Sequence, residues 1–340
     1  MITALQRCLR VAGFTHPTAF VVALLLGVGS ASARTLTVGP DAQWHTLSEA
    51  VEKANDGDVI KIAPGEYFDC AMIRARDLVI EGAGDGTVLT DKTCVGKAIL
   101  VAQADNLTVR NLVLARARVP DLNGAGIRLE GQGLTVEHVV FENDQVGVLA
   151  GTPGPGEVRV SDCRFHAGGV AGDRPSAALS IAGVGRLLVE RSMFQGVKGG
   201  QISSGAAQTE LVGNRIETGV EPGAGQAVLL NGGALVMRDN VIALGPNEPP
   251  RDAAVLATDG TLELRGNRLE NNTGRSQRLL LDWTHGSPVL VGNVVGDGDT
   301  EVSSAGVLRH RAGGTARGLV GDVRAAAGAT KRMLKSLVGR

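Results

Sequence analysis

The chain has 340 residues with 34 basic and 35 acidic side chains, a formal charge of −1, so it lacks the cation excess that a nucleic-acid-binding surface requires. Glycine accounts for 48 residues, about twice ordinary usage, while aromatic residues are only 3%. That balance suits a chain that turns sharply many times, and the length allows one large domain or two.

Residues 1–33 read as a secretory signal. Arg7 and Arg10 precede the apolar run Phe20 to Val28, and Ala31-Ser32-Ala33 forms a small-x-small cleavage site. The run is short for a membrane span; an uncleaved anchor is the competing reading. The expected location is secreted or periplasmic. Cleavage leaves Cys70, Cys94 and Cys163 in an oxidising setting.

Residues 34–68 are expected to form an N-terminal cap and first coil. Thr35 to Val38 reads as a strand. Thr46-Leu47-Ser48-Glu49 has the form of a capping box, and Leu47, Ala50, Val51 and Ala54 follow at helical spacing. Asn55 to Asp58 ends the helix, Val59 to Ile62 is a second strand, and Pro64-Gly65 turns the chain. Trp44 is expected to cover the first coil.

From residue 69 to 305 one phrase recurs every 22 to 29 residues. Its closing apolar residue is read at Val113, Phe141, Phe165, Phe194, Ile216, Ile242, Leu269 and Val295. Two residues earlier stand Asn111, Val139, Cys163, Ser192, Asn214, Asn240, Asn267 and Asn293. Alternating runs such as Leu134-Thr135-Val136 and Leu262-Glu263-Leu264 lie just upstream. Such self-similarity marks a solenoid, whose units bury their faces only against neighbours. The runs are too short for helices, and no Leu-x-x-Leu-x-Leu frame of a leucine-rich repeat appears. The asparagines are expected to form an internal ladder, and the three phenylalanines an interior stack. Cys70 and Cys94 are 24 residues apart, about one repeat. Adjacent coils lie about 4.8 Å apart, within reach of a disulfide. A bridge is therefore expected, with Cys163 a buried free thiol; three unpaired cysteines are the alternative.

With these repeats the sequence resembles the right-handed parallel β-helix family of the pectin-lyase type. The segment Thr46 to Tyr67 is similar to its N-terminal cap and first coil, and Gly133 to Phe141 to its generic coil. The expected fold class is an all-β, single-stranded right-handed parallel β-helix with an N-terminal capping helix and a C-terminal amphipathic helix. The family contains polysaccharide lyases, hydrolases and epimerases as well as non-catalytic surface proteins, so fold alone leaves the activity open.

In polysaccharide-active relatives the groove commonly follows the outer face of one sheet. Alternation places Ile127 and Leu129 inward, hence Arg128 and Glu130 outward; it also places Gly147, Leu149, Ala178, Ser180 and Ser203 outward. Uronate chemistry needs a group that neutralises the sugar carboxylate and a base for the C5 proton. Arg128 is the candidate neutraliser, with Glu130, Asp121 and Asp144 as further catalytic candidates and Asn123 as a substrate contact. A solvated Arg–Glu pair is the plain alternative. No Asp-Pro-His-Asp motif like that of alginate epimerases occurs, and His138 and His166 are weak as bases. No cofactor is evident, and no dense aspartate cluster supports calcium. Asp282-Trp283-Thr284-His285 is an unusual cluster that could stack on a sugar, while Trp283 could equally close the core.

Residues 306–340 form a linker and a basic segment. Leu319, Val323, Ala326, Thr330, Met333, Leu334 and Leu337 trace one helical face, and the segment from Thr315 carries a charge of +5. Folding back on the solenoid, a mobile tail, and attachment to an anionic membrane surface or polymer are all open. The leading expectation is an exported protein that binds or processes an extracellular, uronate-containing polysaccharide; the alternative is a non-catalytic structural or envelope-associated scaffold. Oligomeric state is left open.

Overall fold

The computed structural model describes residues 33–169, 177–220, 225–248, 253–284 and 286–304. The expected signal segment, apart from Ala33, and the expected C-terminal helix lie outside the described residues.

The short alternating runs form strands because every second side chain has a core to enter. One wall is a ten-stranded sheet, from Ala71–Ile73 to Thr300–Ser304, whose members come from successive coils. All its pairings are parallel and in register, so that Ile127, Val148, Leu179, Ile202, Val228, Val255 and Leu280 make one interior column. The remaining strands form a second sheet that bends at a corner. Two coils run through the corner unbroken, Leu107–Ala115 and Leu134–Glu142, while the coil before them is split into Val79–Glu81 and Thr87–Thr90. Later coils are split, as in Glu157–Ser161 and Arg164–His166. The bend is made by one left-handed residue per coil, including His138, Asp162, Arg191, Gly213, Asp239 and Gly266. The result is a parallel β-helix of about ten turns, all-β except for one helix among the described residues.

Register corrects one expectation. Leu112 pairs with Val139, and Leu114 with Phe141. The coil containing Leu107–Ala115 therefore contributes Leu112 and Leu114 to the interior columns, not Asn111 and Val113. Asn111 has φ 57° and occupies the corner itself, a conformation asparagine tolerates better than most residues.

The ladder runs from Ser192 through Asn214, Asn240 and Asn267 to Asn293. Asn240 Oδ1 accepts from the Asn214 backbone N–H at 2.9 Å and from Asn214 Nδ2 at 3.0 Å. Asn240 Nδ2 donates to Leu211 O at 2.8 Å and Asn267 Oδ1 at 2.9 Å. Phe141, Phe165 and Phe194 stack with both centroid separations at 4.6 Å and rings within 5° of parallel.

Cys70 and Cys94 form the expected disulfide, with Cα atoms 5.5 Å apart. Cys163 is free and buried, and burial pushes its thiol up to about 12. The helix Leu47–Lys53 begins at a Thr46–Glu49 capping box, and its Leu47, Ala50 and Val51 join the core. Trp44 also packs against that core. No described helix is long and apolar enough to cross a membrane.

Candidate functional site

The outward column of the ten-stranded sheet is mostly apolar. Val101, Arg128, Leu149 and Ser180 follow one another in register, then Ser203, Leu229, Leu256 and Leu281. Arg128 thus lies between Val101 and Leu149, its side chain only 12% exposed, with Nε 3.5 Å from Glu130 Oε1. Burial draws its pKa down, against the opposing effect of Glu130. Glu130 also binds Lys97 Nζ at 2.5 Å and Gln103 Nε2 at 3.3 Å. Burial pushes the Glu130 carboxyl up, but these partners hold it below its ordinary value.

Gly147 and Ala178 do not face outward as alternation suggested. A Cβ on Gly147 would lie 2.6 Å from the Phe165 ring, and Ala178 belongs to the interior core. These strands begin with two consecutive inward residues at the corner. The position ahead of Ile127, Gly126, is likewise confined by the Phe141 ring, where a Cβ would come within 2.8 Å.

Where the bent sheet turns into the ten-stranded sheet, corners from successive coils line a cleft of about 620 Å³. The sequence builds it simply: each coil-closing Phe or Ile is followed by polar residues that must leave the core. Phe141 is followed by Glu142, Asn143, Asp144 and Gln145; Phe165 by His166; Phe194 by Gln195 and, three further on, Lys198. Arg118 enters from the loop between Ala115 and Ala125, and Leu122 and Val220 add apolar edges.

Arg118 Nη2 donates to Asn143 Oδ1 at 2.7 Å and Asn143 O at 3.2 Å. His166 Nδ1 lies 2.9 Å from Glu142 Oε2. A carboxylate there favours hydrogen on Nδ1, which in the neutral ring makes Nε2 the basic nitrogen. Lys198 is exposed, and its backbone N–H bonds Gly168 O at 2.7 Å. Gly169, at φ 81°, passes so close to Lys198 O that no Cβ fits.

Behind the cleft, Asp144 and Gln145 fasten the Arg118 loop. Asp144 Oδ1 accepts from Ala117 N–H at 2.7 Å. Gln145 Oε1 accepts from Val119 and Gly124 N–H at 2.9 and 2.8 Å, and its Nε2 donates to Val119 O at 3.1 Å. Asp144 Oδ2 is buried without a protein partner. Burial raises the Asp144 pKa well above the ordinary carboxylate value, partly opposed by the Ala117 bond.

Of the residues singled out from sequence, Asp144 lies directly behind this cleft. Asp121, exposed, and Asn123, half-buried, belong to the loop that Gln145 anchors. Arg128 and Glu130 belong to the ten-stranded sheet face. Asp282 and Trp283 are several coils away. Asp282 is buried, pairs in register with Ala257 and accepts from Thr284 N–H at 2.8 Å. Trp283 packs with Leu229, Leu256 and Leu281 on the opposite face. His285 lies outside the described residues. Arg118, Asn143, Gln145 and Lys198 were missed, although aligning the residues after each coil-closing aromatic would have brought most of them together. Among the described residues, no group of three or more His, Cys, Asp or Glu side chains is placed to hold a metal ion.

Neither a family model nor a curated protein sequence matches the chain. Solved structures do align with it. An alginate lyase from Paenibacillus sp. str. FPU-7 is 17% identical at a TM-score of 0.44, covering 79% of this chain and 98% of its own. A pectin methylesterase from carrot is 12% identical at 0.39, covering 80% and 83%. The pectin methylesterase PemA from Erwinia chrysanthemi is 11% identical at 0.37, covering 79% and 80%.

Proposed function

We propose that this protein is exported and that the corner cleft binds an acidic, uronate-containing polysaccharide. The observation that carries the reading is the convergence of Arg118, His166 and Lys198, with the amides of Asn143 and Gln195, on one cleft formed by successive coils. Coils repeat at about 4.8 Å, so these groups make an extended, cation-bearing track suited to a polymer with repeated carboxylates. The Cys70–Cys94 bridge supports an oxidising compartment. Arg128 and Glu130 are assigned to holding the sheet face, away from this track.

The same cleft holds the parts of a processing site. Arg118 and Lys198 would neutralise a uronate carboxylate, and His166, oriented by Glu142, would take the C5 proton. The C5–H electron pair would then form the C4=C5 double bond as the C4–O bond breaks, the departing oxygen taking a proton from water, which leaves an unsaturated sugar end. The test is titration of the mature chain with polygalacturonate, alginate and a neutral glucan, together with ultraviolet detection of unsaturated ends. Arg118→Ala and Lys198→Ala should each weaken binding of the acidic polymers about tenfold, or about 1.4 kcal/mol. His166→Gln should abolish any release of unsaturated ends while preserving binding. Equal affinity for the neutral polymer, or no effect of either cation, would overturn the reading.

A second reading, a structural scaffold, is favoured by the outer wall of the bent sheet. Glu157, Arg186, Glu210 and Arg238 alternate in sign on four successive coils, at 3.0, 2.9 and 3.3 Å. Such a wall satisfies its own charges, and absence of both binding and turnover would select the scaffold.

A further inference from the structure

In this aromatic-poor chain, Phe68 is the one exposed aromatic side chain among the described residues, at 65%. A lone exposed apolar residue is ordinary, but this one has an unusually firm mount. On one side Tyr67 packs against the core and donates its hydroxyl to Ala63 O at 2.9 Å. On the other, buried Asp69 accepts from Ser48 N–H at 2.7 Å and from Ser48 Oγ at 3.1 Å, and Cys70 is bridged to Cys94. The residue after Cys94, Val95, is 62% exposed at φ 46°, a left-handed conformation that β-branched residues avoid. The disulfide thus fastens two chain segments that each hold an apolar side chain out in solvent.

Register relates this place to the corner cleft. Tyr67 pairs with Leu89, and Phe68 and Thr90 are the next residues along those two chains. Thr90 pairs with Ala115, Ala115 with Glu142, and Glu142 with His166. Phe68 therefore heads the row that enters the cleft, four coil steps or about 19 Å from His166.

The charges near Phe68 are already matched. Arg116 Nη2 lies 2.7 Å from Asp91 Oδ2 and 3.1 Å from Glu66 Oε1, and Lys92 Nζ lies 3.4 Å from Asp69 Oδ1. Little is left there to attract a sugar carboxylate. What is offered is a phenyl face, whose negative quadrupole suits the C–H face of a pyranose ring.

We infer that Phe68, edged by Val95, is a remote sugar-stacking subsite at the N-terminal end of the cleft's track. The inference rests on the polysaccharide reading and extends it. The occupant is a further sugar unit of a polymer already held at Arg118 and Lys198, recognised by its ring and not by its carboxylate. The firm mount suits this role, because binding then has little protein to order. One polymer joins the two places, so the subsite contributes only for chains long enough to span both.

The test is calorimetric titration of the mature chain with a galacturonate disaccharide and decasaccharide at low and high salt. Phe68→Ala should weaken the decasaccharide about fivefold and leave the disaccharide unchanged. That loss should be the same at both salt concentrations, whereas the loss from Arg118→Ala should shrink at high salt. Phe68→Trp should keep the parent affinity, and its emission should shift to the blue with the decasaccharide but not with the disaccharide. Val95→Gly should weaken the decasaccharide about twofold without lowering the denaturant midpoint. Unchanged decasaccharide affinity in Phe68→Ala, an equal loss for both lengths, or a loss that shrinks with salt would each overturn the subsite, while Arg118→Ala still reports on the cleft. If neither Arg118→Ala nor Lys198→Ala weakens either oligomer, the polysaccharide reading itself fails, whatever Phe68→Ala does.

Discussion

At the scale of single residues, the interior polar groups divide by whether their bonds are closed. Asn240 is fully buried and has partners on both neighbouring coils. Asn240→Ala leaves the Asn214 and Asn267 amides and Leu211 O short of partners, and should cost about 3 kcal/mol, read as a lowered denaturant midpoint. Asp144 is the opposite case, because its Oδ2 lacks a protein partner. Its folded pKa is raised, so the native state binds the proton more tightly than the unfolded chain. This contribution is fully present below the ordinary carboxylate pKa and is lost as pH rises through the folded pKa, by about 1.4 kcal/mol per unit in that window. Asp144→Asn keeps the acceptor for Ala117 and removes the charge. Denaturant midpoints at pH 5 and pH 7.5 should therefore differ less in the variant than in the parent.

At the scale of elements, the loop between Ala115 and Ala125 brings Arg118 to the cleft only because Gln145 closes it from behind. Gln145→Leu should cost about 1–3 kcal/mol through its lost bonds, increase protease cleavage within residues 117–124, and weaken acidic-polymer binding. Retained binding with a cleaved loop would separate Arg118 from recognition. The same element shows what was legible in the sequence. Strands, helix, disulfide and ladder could be read because each obeys a short period or a local motif. The cleft could not, because Arg118, His166 and Lys198 meet only after coils of unequal length are brought into register. Gly147 and Ala178 were misplaced for a related reason: simple alternation fails where two inward residues follow a corner. Asn111 shows the converse, since its residue type suits both the ladder and the left-handed bend, and only pairing through Leu112 and Leu114 separates the two.

At the scale of the whole molecule, the coils are quasi-independent layers, each paired with the layers before and after it. Removing residues 240–266 would join Asp239 to Asn267 and bring Asn214 beside Asn267, with the strand Val228–Leu230 beside Arg278–Asp282. The deleted chain should fold with unchanged far-ultraviolet character per residue, and its acidic-polymer affinity should stay within about threefold, under 1 kcal/mol. Loss of cooperative unfolding would show that the layers are not interchangeable.

The asparagine at one corner thus acts as a universal joint between layers. Insertion or excision of one whole coil between two such asparagines preserves alignment on both sides. Axial reach can then be adjusted in steps of one layer, about 4.8 Å, without redesigning the recognition surface several layers away.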